Sequence, residues 1–298
     1  MSSVLSIQGL VKSYGKVRAL QNVSFEVPEG SVFGILGPNG SGKTTLLSII
    51  LDVLKADSGN YRWFGEPGSP DLRKRIGSLL ETPNFYHYLS AVDNLKITQS
   101  ISGRGTPADI EAVLHKVKLY ERRKSRFSSY SLGMKQRLAI AAALLGGPRV
   151  LLLDEPTNGL DPVGIAEIRE LIVELKDQGH TMIMASHLLD EVEKVCTHVA
   201  ILKTGNVVTT GPVGDVLMDE DIVEVSASDL QALAGVLEYL GGEVRLNEQL
   251  GTVHVILKKG TARLEEINAF CFSRGITLSH LQLKKKRLEA RFFELTNN

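Results

Sequence analysis

The chain has 298 residues, 43% of them hydrophobic, and its 34 basic and 34 acidic residues cancel to a formal net charge of zero. This length and composition suffice for a full hydrophobic core and predict two unequal domains. The neutral charge gives no general attraction to nucleic acid, and no run approaches the roughly 18 apolar residues of a membrane-spanning helix. The two cysteines are isolated, which suits a reducing cytosol and gives no cysteine metal site.

A phosphate-binding loop follows a series of short predicted strands in residues 4–36. Residues 37–44 read Gly-Pro-Asn-Gly-Ser-Gly-Lys-Thr, which matches the pattern G-x-x-x-x-G-K-[ST]. The loop follows a strand-like run at residues 31–36 and opens into a helix-like run at residues 43–51, the context that this motif requires. The alternative, an ordinary glycine-rich turn, would need both the motif and its placement to arise by chance.

The residue types of this loop suit the phosphates of a nucleotide. Glycines let the backbone curl so that several N–H groups point at phosphate oxygens, and the following helix adds the positive end of its dipole. Lys43 can reach the β- and γ-phosphates, while the Thr44 hydroxyl can ligate Mg²⁺. The predicted nucleotide contacts of the loop are Gly37, Asn39, Gly40, Ser41, Gly42, Lys43, Thr44 and Thr45.

The segment from residue 90 to about residue 146 is predicted to be helical. Apolar residues at positions 110, 113, 114 and 117 have the spacing of a one-faced helix that begins near Thr106-Pro107. Ser131 is a good N-cap for the apolar stretch at residues 138–145. A helix start with Ser and Gly is a second place where an anion can bind.

Two carboxylates end the next apolar run. Residues 150–156 read Val-Leu-Leu-Leu-Asp-Glu-Pro, and this continuously apolar pattern predicts a buried central strand. Asp154 is predicted to hold Mg²⁺ through water, and Glu155 to polarise the attacking water. The alternative is a core strand that ends by chance in an acidic turn.

Helix and strand alternate after these carboxylates. Apolar residues at positions 165, 168, 172 and 175 mark a one-faced helix that Gly179 ends, before a strand at residues 181–185. This βαβ rhythm predicts a parallel sheet. His187 follows the strand, where a lone histidine is usually structural.

A domain boundary is predicted between Gly211 and Asp221, where turn formers precede acidic residues, so that domains are expected at residues 1–215 and 222–298. The second domain is predicted to have the order β, α, β, β, α, β with a last helix at residues 288–295, a small ferredoxin-like α+β unit. No motif in it indicates chemistry, and packing or dimer contact is its expected role. The basic run at residues 284–287 is interpreted as a solvated turn, with lipid contact as the alternative.

The motifs, taken in order, resemble those of the ATP-binding subunits of ABC transporters. After the P-loop come Ser131-Leu-Gly-Met-Lys-Gln-Arg137, the Asp154-Glu155-Pro156 strand end, Gly159-Leu-Asp-Pro162 and Ser186-His187. The resemblance covers residues 4 to about 215. It implies an α/β P-loop NTPase fold of ABC type, with a mixed sheet core, an antiparallel β subdomain and a helical subdomain at about residues 82–146. The small C-terminal α+β domain follows this core.

The resemblance also implies roles for single residues. Tyr14 matches the aromatic residue that stacks on adenine, with an ordinary strand-end tyrosine as the alternative. Glu155 matches the catalytic glutamate, and His187 matches the switch histidine that contacts the γ-phosphate. Together with Lys43 these two form the expected catalytic set for the hydrolysis of ATP with Mg²⁺.

A site divided between two subunits follows from the same resemblance. Ser131 and Gly133 match the signature positions that close on the nucleotide held by the facing subunit. Asp161 lies in the match to the D-loop, which joins the two ATP sites. The chain is therefore expected to form a homodimer or to pair with another ATPase subunit.

Three residues depart from the family pattern. Leu132 stands where a glycine is common and Met134 where a glutamine is common, although Ser131 and Gly133 are kept. Glu81 stands where most members have glutamine. A glutamate is a hard oxygen ligand, so Glu81 is either a Mg²⁺ ligand or only a residue of the hinge to the membrane subunit.

The residues around Glu81 resemble those of the bacitracin and lantibiotic-immunity exporters. The expected function is the ATP-hydrolysing subunit of an ABC-type membrane exporter, held at the cytoplasmic face of the membrane by a polytopic permease and without a nucleic-acid partner. The aromatic stretch at residues 85–89 is the predicted permease contact, or else it only covers the helical subdomain. The alternative function is a soluble ABC-type ATPase, which the missing coiled coil and missing second ATPase domain disfavour.

Overall fold

The computed structural model describes residues 2–80, 84–217, 220–247, 249–258 and 260–284, together with residues 288 and 292. The chain divides into two compact units, Met1–Pro212 and Val213–Asn298. None of the helices in these ranges is long and apolar enough to cross a membrane. Glu81, residues 285–287 and most of the predicted last helix at residues 288–295 lie outside the described residues.

The first unit combines ten strands with seven α-helices in its described residues. In chain order they are β1 (Ser3–Tyr14), β2 (Val17–Pro28), β3 (Val32–Leu36), α1 (Lys43–Ile50), β4 (Ser58–Trp63), β5 (Glu66–Pro67), α2 (Pro70–Arg73), β6 (Ile76–Leu79), α3 (Ala91–Ser102), α4 (Pro107–Lys116), α5 (Leu132–Leu144), β7 (Val150–Asp154), α6 (Pro162–Asp177), β8 (Thr181–Ser186), α7 (Leu189–Val195), β9 (His198–Lys203) and β10 (Asn206–Pro212).

A six-stranded sheet forms the core of this unit, in the order β10-β9-β3-β8-β7-β6. All neighbours in it are parallel except β10, which pairs with β9 in the antiparallel sense. Strands β3 and β7 are buried along their whole length, which explains their continuously apolar sequences. Because these strands are parallel and separated only by β8, their carboxyl ends reach the same edge of the sheet.

A second, antiparallel sheet has the order β2-β1-β4-β5 and packs with α1 and the larger sheet in one hydrophobic core. The rings of Phe25 on β2 and Phe33 on β3 stack with centroids 5.3 Å apart. The indole N–H of Trp63 donates to the carbonyl of Ile50 at 2.8 Å, which joins β4 to the end of α1. These contacts fix the β1–β2 hairpin and thus the position of Tyr14 at the end of β1.

The helices α3, α4 and α5 form the segment that the sequence predicts to be helical. Helix α4 begins at Thr106, whose side chain accepts from the Asp109 amide while the Asp109 carboxylate accepts from the Thr106 amide, a complete capping box. Its predicted apolar face is buried, with Ile110 2% exposed and Leu114 fully covered. Helix α5 begins at Ser131, whose hydroxyl accepts from the Met134 amide at 3.3 Å, so the predicted N-cap is confirmed.

The second unit contains a four-stranded antiparallel sheet in the order β12-β13-β11-β14. Its elements are α8 (Val213–Leu217), β11 (Glu220–Ala227), α9 (Leu230–Leu237), β12 (Glu243–Asn247), β13 (Thr252–Lys258), α10 (Leu264–Ser273) and β14 (Leu278–Lys284). From β11 onward the order is β-α-β-β-α-β, the split βαβ arrangement. Valines of β11 and β13 pack with Leu233 of α9 and Ile267 of α10 to form the core of this unit.

The opposite face of this sheet is organised around Glu224. Strand alternation places Glu224 and His254 on the face away from the helices, because Val223 and Val225 enter the core. The Glu224 carboxylate accepts from Lys284, from Nε2 of His254 at 2.8 Å and from Nε2 of His280 at 3.2 Å. The hydrogen bonds from Lys284 and then from His254 lower the pKa of Glu224 to about 2.

The Glu224 cluster predicts an acid-sensitive contribution to stability. A carboxyl whose pKa falls from its ordinary 4.5 to about 2 on folding stabilises the folded state fully above pH 4.5. That stabilisation is lost progressively as the pH falls toward 2. The difference in unfolding free energy between the wild type and Glu224→Gln, measured by urea titration, should therefore be largest at neutral pH and shrink below pH 4.5. A difference that stays constant with pH would contradict this assignment.

Candidate nucleotide-binding site

The P-loop connects the end of β3 to α1 in a conformation that requires glycine at particular positions. Gly42 has a φ of +102°, and a Cβ there would lie 2.4 Å from the carbonyl oxygen of Ala19. A Cβ on Gly37 would lie 2.5 Å from the carbonyl oxygen of Leu202. Side chains at either position would push the loop away from the sheet, so the glycines fix where the N-terminus of α1 points.

A cavity of about 580 Å³ opens beside this loop. It gathers residues from the β1–β2 hairpin, the P-loop, the end of β7 and the end of β8. Its lining consists of Tyr14, Val17, Ala19, Asn39, Gly40, Gly42, Lys43, Thr44, Thr45, Glu155, Asn158 and His187. Gly37 and Ser41, which the sequence also predicts as contacts, are not among these lining residues, and both are buried.

Lys43 is the cation of the cavity. Its ammonium donates to the carbonyl of Gly37 at 2.8 Å and to that of Pro38 at 3.3 Å. Burial lowers the pKa of Lys43, and the nearby carboxylates of Glu155 and Asp154 partly oppose this shift. A partly desolvated ammonium held by two neutral carbonyls can exchange them for phosphate oxygens, which bind it more strongly.

Thr44 and Asp154 form a pair of hard oxygen donors beneath the cavity. The Thr44 hydroxyl donates to Oδ2 of Asp154 at 3.3 Å, and Asp154 is 3% exposed. The described residues contain no group of three or more His, Cys, Asp or Glu side chains that could hold a metal by themselves. A hydroxyl and one carboxylate suit Mg²⁺, which keeps several waters and takes phosphate oxygens as further ligands.

Glu155 is held at the cavity wall by a strained turn. Its φ of +49° is rare for a residue other than glycine, and its amide donates to the carbonyl of Ala185 at 3.0 Å. Its Oε2 accepts from Nδ1 of His187 at 2.8 Å. Because an ionised carboxylate only accepts, Nδ1 carries the hydrogen, and Nε2 of a neutral ring is left as an acceptor.

Tyr14 forms the wall of the cavity on the hairpin side. Tyr14 is 48% exposed and is one of the residues that line the cavity. The ammonium of Lys12 lies 5.7 Å from the ring centroid and also pairs with Asp57 at 3.0 Å. Asp57 in turn accepts from the Ser13 amide at 2.7 Å, which fixes the backbone next to Tyr14.

Besides Gly37 and Ser41, three further predicted contacts do not line this cavity. Ser131 caps α5, Gly133 lies in its first turn, and Asp161 caps α6 by accepting from the Gly164 amide at 2.9 Å. Ser131 and Asp161 are both exposed. Three lining residues were missed by the sequence analysis, namely Val17, Ala19 and Asn158. For Asn158, a polar amide just before Gly159 in a turn after the two carboxylates was a usable signal. Glu81 lies outside the described residues, so its relation to the cavity is left as a prediction.

Comparisons with known proteins agree with this geometry. Residues 20–158 match the family model described as ABC transporter. The bacitracin transport ATP-binding protein BcrA of Enterococcus faecalis is 33% identical over 99% of this chain and 97% of that protein. The chain belongs to the ABC transporter ATP-binding proteins. The lantibiotic transport ATP-binding protein SrtF of Streptococcus pyogenes is 43% identical over 69% of this chain and 89% of that protein.

A solved structure extends the likeness to three dimensions. An ATP-binding cassette determined as a dimer in a post-hydrolysis state, bound to ADP and Pi, is 27% identical, with a TM-score of 0.62 over 70% of this chain and 98% of that one. The predicted α/β fold of ABC type is thereby confirmed. The predicted ATPase activity is confirmed at the level of the family, whose members bind and hydrolyse ATP.

Replacement of Lys43 tests the phosphate contacts of the cavity. Lys43→Ala removes the ammonium that the loop carbonyls hold, so the affinity for ATP should fall roughly 10- to 100-fold, as expected for a lost charged hydrogen bond. Isothermal titration calorimetry on the full-length chain measures this loss. Lys55→Ala, an exposed lysine of the loop after α1, is the matched control and should bind ATP like the wild type. Equal affinity of both variants would remove Lys43 from the site.

Proposed function

We propose that this chain is the ATP-hydrolysing subunit that energises an ABC-type membrane exporter. The observation that supports this most is the cavity itself, which gathers a phosphate loop, an aromatic ring, the carboxylate of Glu155 and a histidine while leaving the signature residues outside. The similarity to BcrA over nearly the full length extends the argument beyond the nucleotide site to the whole subunit. The cargo would be selected by the membrane subunit and not by this chain.

The roles of the binding residues follow from their chemistry. Tyr14 stacks on the adenine ring, and the P-loop amides with Lys43 hold the β- and γ-phosphates. Thr44 and Asp154 would hold Mg²⁺. When bound, the ion would supply positive charge that offsets the charge on the phosphate oxygens.

Glu155 is the general base in this proposal. Its carboxylate lies at the cavity wall, where it accepts a proton from the water that attacks the γ-phosphorus. The hydrogen bond from Nδ1 of His187 fixes the direction of that carboxylate. The same histidine faces the cavity, so it can turn from Glu155 to the γ-phosphate when ATP is bound.

The residues outside the cavity support a dimeric mechanism. Ser131 and Asp161 are exposed helix caps, and amides at the start of α5 are suited to an anion supplied from elsewhere. A second ATPase subunit facing the first would place its signature helix over the γ-phosphate. ATP then favours the closed pair through its greater affinity for that state, and loss of phosphate favours the open one.

A groove in the helical segment is the proposed contact for the membrane subunit. It has a volume of about 440 Å³ and is lined by residues of the 84–86 loop and of α3. Asn94, only 1% exposed, holds this loop in place by accepting from the Tyr86 amide at 2.8 Å and donating to the Tyr86 carbonyl at 3.1 Å. Around the groove, Tyr86 is 50% exposed and Ile101 is 82% exposed. A preformed, partly apolar groove of this kind suits a helix from the permease.

The alternative for the aromatic stretch at residues 85–89, that it only covers the helical subdomain, fits only some of these residues. Phe85 does pack against the helical segment, with its ring centroid 5.2 Å from that of Phe127. Tyr88 by contrast is 68% exposed, and its ring centroid lies 6.0 Å from that of Tyr86 in an edge-to-face arrangement. We therefore assign Phe85 to the subdomain core and the two tyrosines to the permease surface. A chain that contacts a permease in this way would work at the cytoplasmic face of the membrane.

The division into an ATP-binding domain at residues 1–215 and an accessory domain at residues 222–298 is part of this proposal. The two compact units support it, since each has its own sheet and its own hydrophobic core. We propose that the accessory domain has a packing or dimer-contact role.

Substitution of Glu155 tests the catalytic assignment. Glu155→Gln keeps the size of the side chain but cannot accept the proton of the attacking water, so ATP should bind and hydrolysis should fall on the order of 10²-fold or more. Steady-state phosphate release and size-exclusion chromatography with ATP measure the two effects. The variant should accumulate as a closed dimer. Unchanged turnover would rule out Glu155 as the base.

Recovery of the membrane partner tests the transport role directly. Affinity purification of the tagged chain from detergent-solubilised membranes, followed by mass spectrometry, should yield a polytopic membrane protein. Isolation of only soluble partners, with the chain absent from the membrane fraction, would instead favour a soluble ABC-type ATPase.

A charge placed in the groove should release that partner. Ile101→Asp puts a carboxylate at the most exposed apolar position of the groove, so co-purification of the permease should fall strongly while ATP affinity stays at the wild-type level. Val53→Asp, at a residue that is 65% exposed outside the groove, is the matched control. Equal recovery of the permease with both variants would exclude the groove as the contact.

A further inference from the structure

Leu132 occupies the first position of α5, directly after the capping Ser131, and is 46% exposed. Its side chain does not simply extend into solvent. It reaches the turn that follows the two carboxylates, where a Cβ placed on Gly159 would lie 3.3 Å from Cδ2 of Leu132. The start of the signature helix is therefore in contact with the Gly159 turn of the same chain.

The Gly159 turn is itself tied to the catalytic carboxylate. The Asn158 amide donates to the carbonyl of Glu155 at 3.1 Å, and the Leu160 amide donates to the carbonyl of Thr157 at 3.3 Å. Gly159 has a φ of +73°, which a residue with a side chain would strain to adopt. Asn158, next to it, lines the nucleotide cavity. Movement of Gly159 would thus be transmitted to Asn158 and to the backbone of Glu155.

A second approach lies beside the first. A Cβ on Gly133, the residue after Leu132, would be 4.0 Å from Cδ2 of Leu160 and 3.9 Å from Cα of Gly164, which is ordinary van der Waals contact. The first turns of α5 and α6 are therefore neighbours. The larger Leu132 then fills the space beside Gly159, which a glycine at position 132 would leave open.

We propose that Leu132 is a positioning residue that links the signature helix to the Gly159 turn and so couples the two ATP sites of the dimer. This inference rests on the proposed dimeric function. In the dimer, Glu155 of one chain serves the site formed on its own P-loop, while Ser131 of that chain serves the site on its partner. The Leu132–Gly159 contact is then a packed connection inside one chain between two different sites.

The contact predicts a specific consequence for cooperativity. When ATP draws the signature helix of a chain toward the partner's site, Leu132 shifts the Gly159 turn and with it Asn158 and Glu155 in the chain's own site. A shorter side chain leaves the two motifs present but independently mobile. Hydrolysis at one site should then no longer depend on occupancy of the other.

The first test needs neither ATP nor a dimer. In hydrogen-exchange measurements on the nucleotide-free full-length chain, Leu132→Ala should make the amides of Asn158 and Leu160 exchange several-fold faster, with residues 138–144 of α5 unchanged. Leu132→Met, which retains the reach of the side chain, should restore slow exchange. Unchanged exchange in Leu132→Ala would overturn the positioning role whatever the function of the protein.

The second test measures coupling. The wild type should hydrolyse ATP with a Hill coefficient between 1 and 2, and Leu132→Ala should bring it toward 1 with about a fivefold lower kcat at saturating ATP. Leu132→Met should behave like the wild type. Val163→Ala, which shortens another exposed side chain (67%) near the same turn, should leave the Hill coefficient unchanged. A variant that is merely less stable would lose active protein without a change in this coefficient.

The outcomes separate the two proposals. A wild-type chain that fails to hydrolyse ATP, or that forms no dimer with ATP, would overturn the proposed function. A dimeric and active wild type whose Hill coefficient is 1, or is the same in Leu132→Ala, would overturn the coupling role of Leu132 alone.

Discussion

The parallel pairing of β3, β8 and β7 is the constraint on which the nucleotide site depends. It brings the end of β3, where the P-loop starts, to the same edge as the end of β7, where the two carboxylates stand. The 3.3 Å hydrogen bond between Thr44 and Asp154 joins residues 110 positions apart in the chain. Both strands are buried along their whole length, so the packed core holds their ends in place. The P-loop and the turn with the two carboxylates therefore begin at well-defined positions.

The positive charge of Lys43 and the negative charges of Glu155 and Asp154 meet at this edge and compensate one another only in part. Lys43 is desolvated, which lowers its pKa, and the carboxylates of Glu155 and Asp154 supply a compensating attraction. Glu155 is at the same time bound by His187 and held in an unfavourable left-handed backbone conformation. A site with a partly buried cation and two nearby anions is suited to a ligand that brings both phosphate oxygens and a divalent cation, because each adds the charge that its neighbours lack.

The location of the remaining motifs explains why one chain would not suffice for the proposed cycle. The signature helix and the Gly159 turn pack on each other, but Ser131 and Asp161 are exposed and do not line the cavity. The same chain therefore presents two separate surfaces, one that holds a nucleotide and one that is suited to cover a nucleotide held elsewhere. The second unit lacks any comparable cluster in its described residues except the one around Glu224, whose charges are satisfied by Lys284 and the two histidines.

The ABC-type fold class was implied by the resemblance of the ordered motifs to a known family. The residues by themselves determined the P-loop, the buried strand with its two carboxylates and the helix caps at Thr106 and Ser131. These features depend on short-range rules, namely backbone freedom at glycine, hydrophobic periodicity and side-chain capping, which act within a few residues. Only the tertiary structure decided that Val17 and Ala19 line the cavity, that Leu132 reaches Gly159 and that Lys284 joins Glu224. Such contacts join distant segments, and their geometry is set by how strands and helices pack, which no local pattern encodes.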